Sequence, residues 1–191
     1  MPPLRIHRVA KGDCCVSTAS PNGLDIAKLD IRAIAAVSRD GVIGIDGHLP
    51  WKIPEDVDYL HRCVRGGTVI EGRKCYESRE KPFPGANRTL VLSGRDNWNP
   101  PEVEVYSSLS YAYKAVQGTE QPVWIAGGER VYRESLPHWK RLYLTVIHDD
   151  FQGDTFFPEW RKHFPVELSR KDGEHEGLRY SFLILAPNEV K

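Results

Sequence analysis

The sequence predicts an α/β protein built on a mostly parallel sheet with an antiparallel edge. Three observations predict it. Short, nearly continuous apolar runs at residues 31–37, 68–70, 88–93 and 122–126 read as strands buried on both faces. Segments of helical spacing alternate with these runs, as parallel strands joined by crossover helices require. The last apolar runs, 140–148, 164–170 and 178–185, follow one another without helices. The final two are expected to pair as a hairpin across Asp172–Gly173.

The elements follow in order. Residues 1–29 lack sustained periodicity and read as an N-terminal extension, leaving 30–191 as a single domain. Arg5, Arg8 and Lys11 faintly suggest a transit peptide, but no apolar stripe accompanies them. After the first strand, residues 41–47 read as a glycine-rich loop rather than a strand. Pro54 is suited to the first turn of a helix, with Glu55 and Asp56 near its positive end. Asp56, Tyr59, Leu60 and Cys63 then share one helix face. Short helices are expected at 72–78, 108–117 and 129–136, the last stopped by Pro137. Residues 103–106 add a short strand.

Composition narrows the function classes. The 191 residues carry 26 basic and 26 acidic side chains, a formal net charge of zero. That disfavours a strongly basic nucleic-acid binder, although balance in the total can hide a local patch. No apolar stretch reaches the length of a membrane-spanning helix, and no secretory signal is evident, so a cytoplasmic protein is expected. The four cysteines, Cys14, Cys15, Cys63 and Cys75, form neither a zinc pattern nor a disulfide framework. No metal site is expected.

Three segments have the makings of a site. In Leu49-Pro-Trp-Lys-Ile-Pro-Glu-Asp56, an acid sits on the first turn of a helix among apolar neighbours Ile53, Val57 and Leu60. Facing inward, it would be a desolvated carboxylate able to hold a planar pair of N–H donors; facing outward, it would only complement the helix dipole. In Ile125-Ala-Gly-Gly-Glu-Arg-Val-Tyr132, two glycines between strand and helix leave backbone N–H groups open to a phosphate. A tight turn alone would use the same glycines. In Glu71-Gly-Arg-Lys-Cys-Tyr-Glu-Ser78, Arg73 and Lys74 stand at a helix start, and Ser93-Gly-Arg95 ends another strand. Together they suit a basic pocket for a phosphorylated adenosine, favouring NADP over NAD. Ligands gather at the carboxyl ends of strands in such sheets.

From about Ile31 to Leu185 the chain resembles dihydrofolate reductase. The matching segments occur in the family's order: Ile34-Ala-Ala36, Gly41-Val-Ile-Gly44, Leu49-Pro-Trp-x-x-Pro-x-Asp56, Gly72-Arg73, Pro82-Phe-Pro-Gly85, Leu90-Val-Leu-Ser93, Gly127-Gly128, Leu142-Tyr-Leu-Thr145 and Gly153-Asp-Thr-x-Phe-Pro158. The resemblance implies a single-domain fold: an eight-stranded, mostly parallel sheet with an antiparallel C-terminal hairpin and about four flanking helices. It implies NADPH-dependent reduction of dihydrofolate to tetrahydrofolate; a monomer is expected, with no nucleic-acid or membrane partner. The same fold also serves reductases of a ribosylated pyrimidine in riboflavin synthesis, and could serve a non-catalytic nucleotide-binding paralogue.

The resemblance also implies roles. Asp56 would hold the pterin's ring N–H and 2-amino group and promote protonation at N5, with Thr145 supporting it and Trp51 ordering the loop and a site water. Residues 41–52 would be a mobile loop over the nicotinamide. Ala35, Val57, Leu60, Arg88 and Ala126 would contact substrate. Ala36, Ile43, Gly44, Leu49, Gly72, Arg73, Lys74, Cys75, Ser93, Arg95, Gly127, Gly128 and Arg130 would contact cofactor. Three departures stand out. Cys75 replaces a usual Thr, and Glu71 replaces an apolar residue, so Glu71 is expected to need pairing by Arg73 or Arg95. The family's arginine for the folate carboxylates falls at Asn87, with Arg88 one place off, within reach only through a local bulge.

Overall fold

The computed structural model describes residues 24–188. An eight-stranded sheet runs in the order β5-β4-β3-β6-β1-β7-β10-β9. Its strands are β1 Ile31–Ser38, β3 Thr68–Gly72, β4 Arg88–Leu92, β5 Glu104–Tyr106, β6 Val123–Ile125, β7 Arg141–Ile147, β9 Val166–His175 and β10 Leu178–Ala186. Pairings from β5 to β7 are parallel, and β10 runs antiparallel to both β7 and β9. The helices are α1 Pro54–Val64, α2 Arg73–Glu77, α3 Leu109–Ala115 and α4 Glu129–Ser135.

Alternation along the central strands makes two cores, one on each sheet face. Ile70 and Leu90 pack with Leu109, Ala112 and Tyr113 of α3 and with Val131 and Tyr132 of α4. Val69, Trp124 and Ile34 face the other way and pack with Phe83 and with Leu60 and Val64 of α1. A third cluster, Trp51, Ile53, Ile147 and Tyr180, fastens the segment before α1 to the C-terminal hairpin.

Two local expectations are corrected. Residues 42–44 are a strand, β2 Val42–Gly44, which pairs antiparallel with β8 Thr155–Phe156. The C-terminal hairpin turns at Glu176–Gly177, both with positive φ (47° and 85°), and Asp172–Gly173 lies inside β9. Gly173 is there for another reason: a Cβ would meet the Tyr180 ring at 2.6 Å. The expected extension, 1–29, lies mostly outside the described residues. Its last part does not stand apart, since Leu29 is buried and Leu24 and Ile26 pack against the larger core.

Candidate active site

The carboxyl ends of β1, β3, β4, β6 and β7 open on one side of the sheet. α1 crosses there and brings in Asp56. The helix starts where it does because Pro54 has a fixed φ and no N–H to leave unpaired. Asp56 is inward and only 8% exposed. Thr145, buried on β7, donates its Oγ1 hydrogen to Asp56 Oδ1 at 2.5 Å. Oδ2 makes no hydrogen bond among the described residues. Burial pushes the Asp56 carboxyl above its ordinary range, and the Thr145 hydrogen bond pulls part of the way back.

The residues expected to line the cleft lie on β1, on α1 and the segment before it, after β6 and on β2. Ala35 and Ala36 are half-buried on β1, where Ala36 is in register with Thr145. Leu60 and Ala126 pack on the Phe83 cluster. Val57 and Leu49 are 45% and 46% exposed, apolar side chains open to solvent. Trp51 is buried, edge-on to Phe151 at 5.1 Å, and its Nε1 has no hydrogen-bond partner among the described residues. Ile43 and Gly44 lie in β2, beside β8.

The second half of the cleft lies at the ends of β3, β4 and β6. Gly72 N–H donates to Gly127 O at 2.7 Å, tying two strand ends together. Gly127 has φ +112°, and a Cβ on Gly127 or Gly128 would come within 3.3 or 3.1 Å of Cys75 Sγ. The Gly127–Gly128 peptide bond is cis. Neither α2 nor α4 has a side-chain N-cap. Lys74 and Arg95 are exposed and free of ion pairs among the described residues, and Ser93 is buried beside them, accepting from the Arg95 backbone N–H at 3.1 Å. Side-chain-free strand ends flanked by two unpaired cations and a hydroxyl fit a dinucleotide phosphate. Arg73 and Arg130 contribute less free charge, because Glu77 and Glu134 pair with them.

Two expectations about charge need correction, and the state of Cys75 can be added to them. Glu71, fully buried, is paired by Arg79 at 2.6 Å, not by Arg73 or Arg95. Arg79 also lies over the Phe83 ring, 3.7 Å from its centroid. Arg88 does not reach the cleft. Its position on β4 points with Leu90 towards α3, where it holds Glu104 through two 2.8 Å bonds and the Ala115 carbonyl at 3.1 Å. No bulge interrupts β3–β4 pairing to turn it round. Cys75 is held as a thiol: burial lifts its pKa to about 11, so it is not a reactive thiolate.

Sequence reasoning missed the Glu71–Arg79 pair because the partners lie eight residues apart across a short helix. It also missed His175, whose Nδ1 meets Glu55 at 3.1 Å and joins the hairpin tip to the start of α1. A depression of about 410 Å³ by the hairpin, lined by Arg39, His148, Arg170 and Arg179, is a poor anion site. Asp150 neutralises Arg39, and Glu167 with Asp172 neutralises Arg170.

The fold and site together define an α/β enzyme that sets a buried carboxylate and a phosphate-binding strand edge in one cleft. The family described as dihydrofolate reductase matches residues 30–186. Dihydrofolate reductase of Staphylococcus haemolyticus is 36% identical over 149 residues, covering 75% of this chain and 88% of that protein. That of Bacillus subtilis is 35% identical over 157 residues, covering 81% and 92%. A solved structure of dihydrofolate reductase from Enterococcus faecalis, complexed with NADP(H) and RAB-propyl, is 29% identical. It superposes with a TM-score of 0.76 over 83% of this chain and 96% of that one. The chain belongs to the dihydrofolate reductase family.

Proposed function

We propose that this protein reduces 7,8-dihydrofolate to 5,6,7,8-tetrahydrofolate with NADPH, and that Asp56 is its essential carboxylate. Membership of the family supports the reaction. The single structural observation that carries the role of Asp56 is its burial, with one oxygen held by Thr145 and the other uncommitted. A pure nucleotide binder has no evident need for such a group.

The cofactor, when bound, supplies the hydride that reaches C6 of the pterin. The protein's residues do the rest. Lys74, Arg95 and Ser93 hold the phosphorylated adenosine end, and the backbone at Gly72, Gly127 and Gly128 lets the phosphates come close. Asp56 accepts from the pterin's ring N–H and 2-amino group, which fixes the ring's orientation. Thr145 locks the carboxylate so that its free oxygen faces the ring. That negative charge, in a site of low dielectric, raises the basicity of the bound pterin and favours proton arrival at N5. Trp51 and residues 41–52 exclude bulk water, and the unpaired Trp51 N–H can hold a site water.

No helix among the described residues is long and apolar enough to cross a membrane. We place the protein in the cytoplasm as a monomer without a nucleic-acid partner, supported by its zero formal charge and by the free thiols of Cys63 and Cys75 among the described residues. The test is a steady-state assay of NADPH oxidation with dihydrofolate beside the ribosylated pyrimidine of riboflavin synthesis. Turnover with dihydrofolate alone is expected; turnover with the pyrimidine alone would overturn the reading.

A further inference from the structure

Dihydrofolate is anionic at the end opposite its pterin ring, so a cleft that grips the ring at Asp56 leaves carboxylates to be met elsewhere. Arg88, committed to Glu104 on the other sheet face, cannot meet them. Three other guanidinium groups stand near the far end of α1: Arg62 in its last turn, Arg65 just beyond it and Arg79, stacked on Phe83. Arg65 follows the helix directly, nine residues after Asp56, which is about 13–14 Å along the axis at 1.5 Å per residue. That is about the span from a pterin's amino group to its glutamate tail. Arg65 is exposed and has no ion-pair partner among the described residues. Its side chain lies over the 82–85 turn: a Cβ on Gly85 would meet its Cγ at 3.4 Å and its Cζ at 3.7 Å.

The backbone around it is fixed. Gly66 N–H donates to Gly85 O at 2.8 Å, Asn87 N–H to Gly67 O at 2.9 Å, and Asn87 Nδ2 to Gly66 O at 2.7 Å. Asn87, in the position of the family's arginine, therefore knits the turn after α1 to the 82–85 turn. Arg79 meets the same turn at Phe83, on whose ring it stacks and which clusters with Leu60 and Val64 of α1. Glu71 offsets the charge of Arg79, whereas nothing among the described residues offsets Arg65.

We propose that Arg65 takes the carboxylate tail of the substrate, with Arg79 beside it as the wall of the tail channel, in place of the missing strand arginine. A cation at the end of a helix is electrostatically favoured, and a guanidinium can grip a carboxylate with two parallel bonds. This rests on the dihydrofolate reading above and names how that substrate's far end is recognised.

The experiment compares dihydrofolate with a tail-less 6-methyl dihydropterin in the full chain. In Arg65→Ala, KM for dihydrofolate should rise roughly tenfold, the scale of one charge-assisted hydrogen-bonded contact. NADPH KM and turnover of the tail-less substrate should not change. Arg65→Lys should recover part of the loss, and the difference between wild type and Arg65→Ala should shrink at high salt. Because removing Arg79 alone would strand Glu71, its share is read in the double variant Arg79→Leu/Glu71→Leu, which should raise KM for the glutamyl substrate selectively. An unchanged dihydrofolate KM in Arg65→Ala, or equal rises with both substrates, overturns the proposal. A wild type that reduces both substrates with no preference for the glutamyl form overturns it alone. One that reduces neither overturns the reductase reading with it.

Discussion

Burial and the Thr145 hydroxyl act on Asp56 in opposite directions, and burial is the larger. A carboxyl whose pKa is higher folded than unfolded contributes stability that is full below its unfolded value and lost as pH rises through its folded value. At neutral pH, ionised Asp56 therefore costs the fold some stability. Asp56→Asn removes that cost while keeping the shape. We expect it to lower turnover by roughly 10²-fold or more, the scale of a lost acid–base group. We also expect its melting temperature to exceed that of the wild type at neutral pH, with the gain vanishing as the buffer is taken below the ordinary carboxylate range. Paired activity and thermal-melt series across pH check both. Ordinary turnover in this variant, or a lower melting temperature at pH 7, would contradict the account. Asp56 was legible in the sequence because proline, helix start and acid coincide. Its inward direction was not, since helix phase alone left both faces open to it.

Strand phase decides the fate of Arg88. One residue along β4 is the difference between facing α1 and facing α3. Arg88→Ala should leave the KM values for dihydrofolate and NADPH unchanged and reduce stability by about 1 kcal/mol, because a half-exposed bidentate pair contributes little. Urea unfolding beside steady-state kinetics separates the two effects. The β2–β8 pair makes a second prediction. A Cβ at Gly153 would stand 2.3 Å from Val42 Cγ1 and 2.7 Å from Gly44 O. The second clash is with backbone and cannot be relieved by a rotamer change. Gly153→Val should therefore part β8 from β2, cost about 1–3 kcal/mol by overpacking, and lower kcat through the loop that follows β2. A variant with wild-type kcat would show that the pair does not set that loop. The sequence reading of residues 42–44 as loop failed for a physical reason: a three-residue strand flanked by glycines has its partner 111 to 114 residues away, too distant for local pattern to reveal. The Asp-Gly signal failed at 172–173 because the glycine was serving a ring across the hairpin instead of a turn.

At the scale of the whole molecule, the strand-helix alternation made the sheet readable, since each buried strand is a continuous apolar run. The cofactor end was readable as a set of strand-terminal glycines. What stayed hidden was which cations remain free. Arg73, Lys74, Arg95 and Arg130 look alike in sequence, yet acidic partners one helical turn on take up Arg73 and Arg130, leaving Lys74 and Arg95. That difference bears on the stability of the entire fold, because a ligand that binds only the native state stabilises it by mass action. At a hundredfold excess over Kd the gain is about 2.7 kcal/mol. For a chain of this size each kcal/mol shifts the melting temperature by about 2–4 °C. Saturating NADPH should thus raise it by about 5–10 °C, and NADH at the same concentration by clearly less, because it lacks the phosphate that Lys74 and Arg95 would meet. Lys74→Ala/Arg95→Ala should bring the two shifts together by reducing the NADPH response, more strongly at low salt than at high. Arg130→Ala should leave both shifts near wild type, since Glu134 already holds that charge. If NADH and NADPH protect the wild type equally, the free cations do not read the phosphate, and the preference for NADPH must come from elsewhere in the cleft.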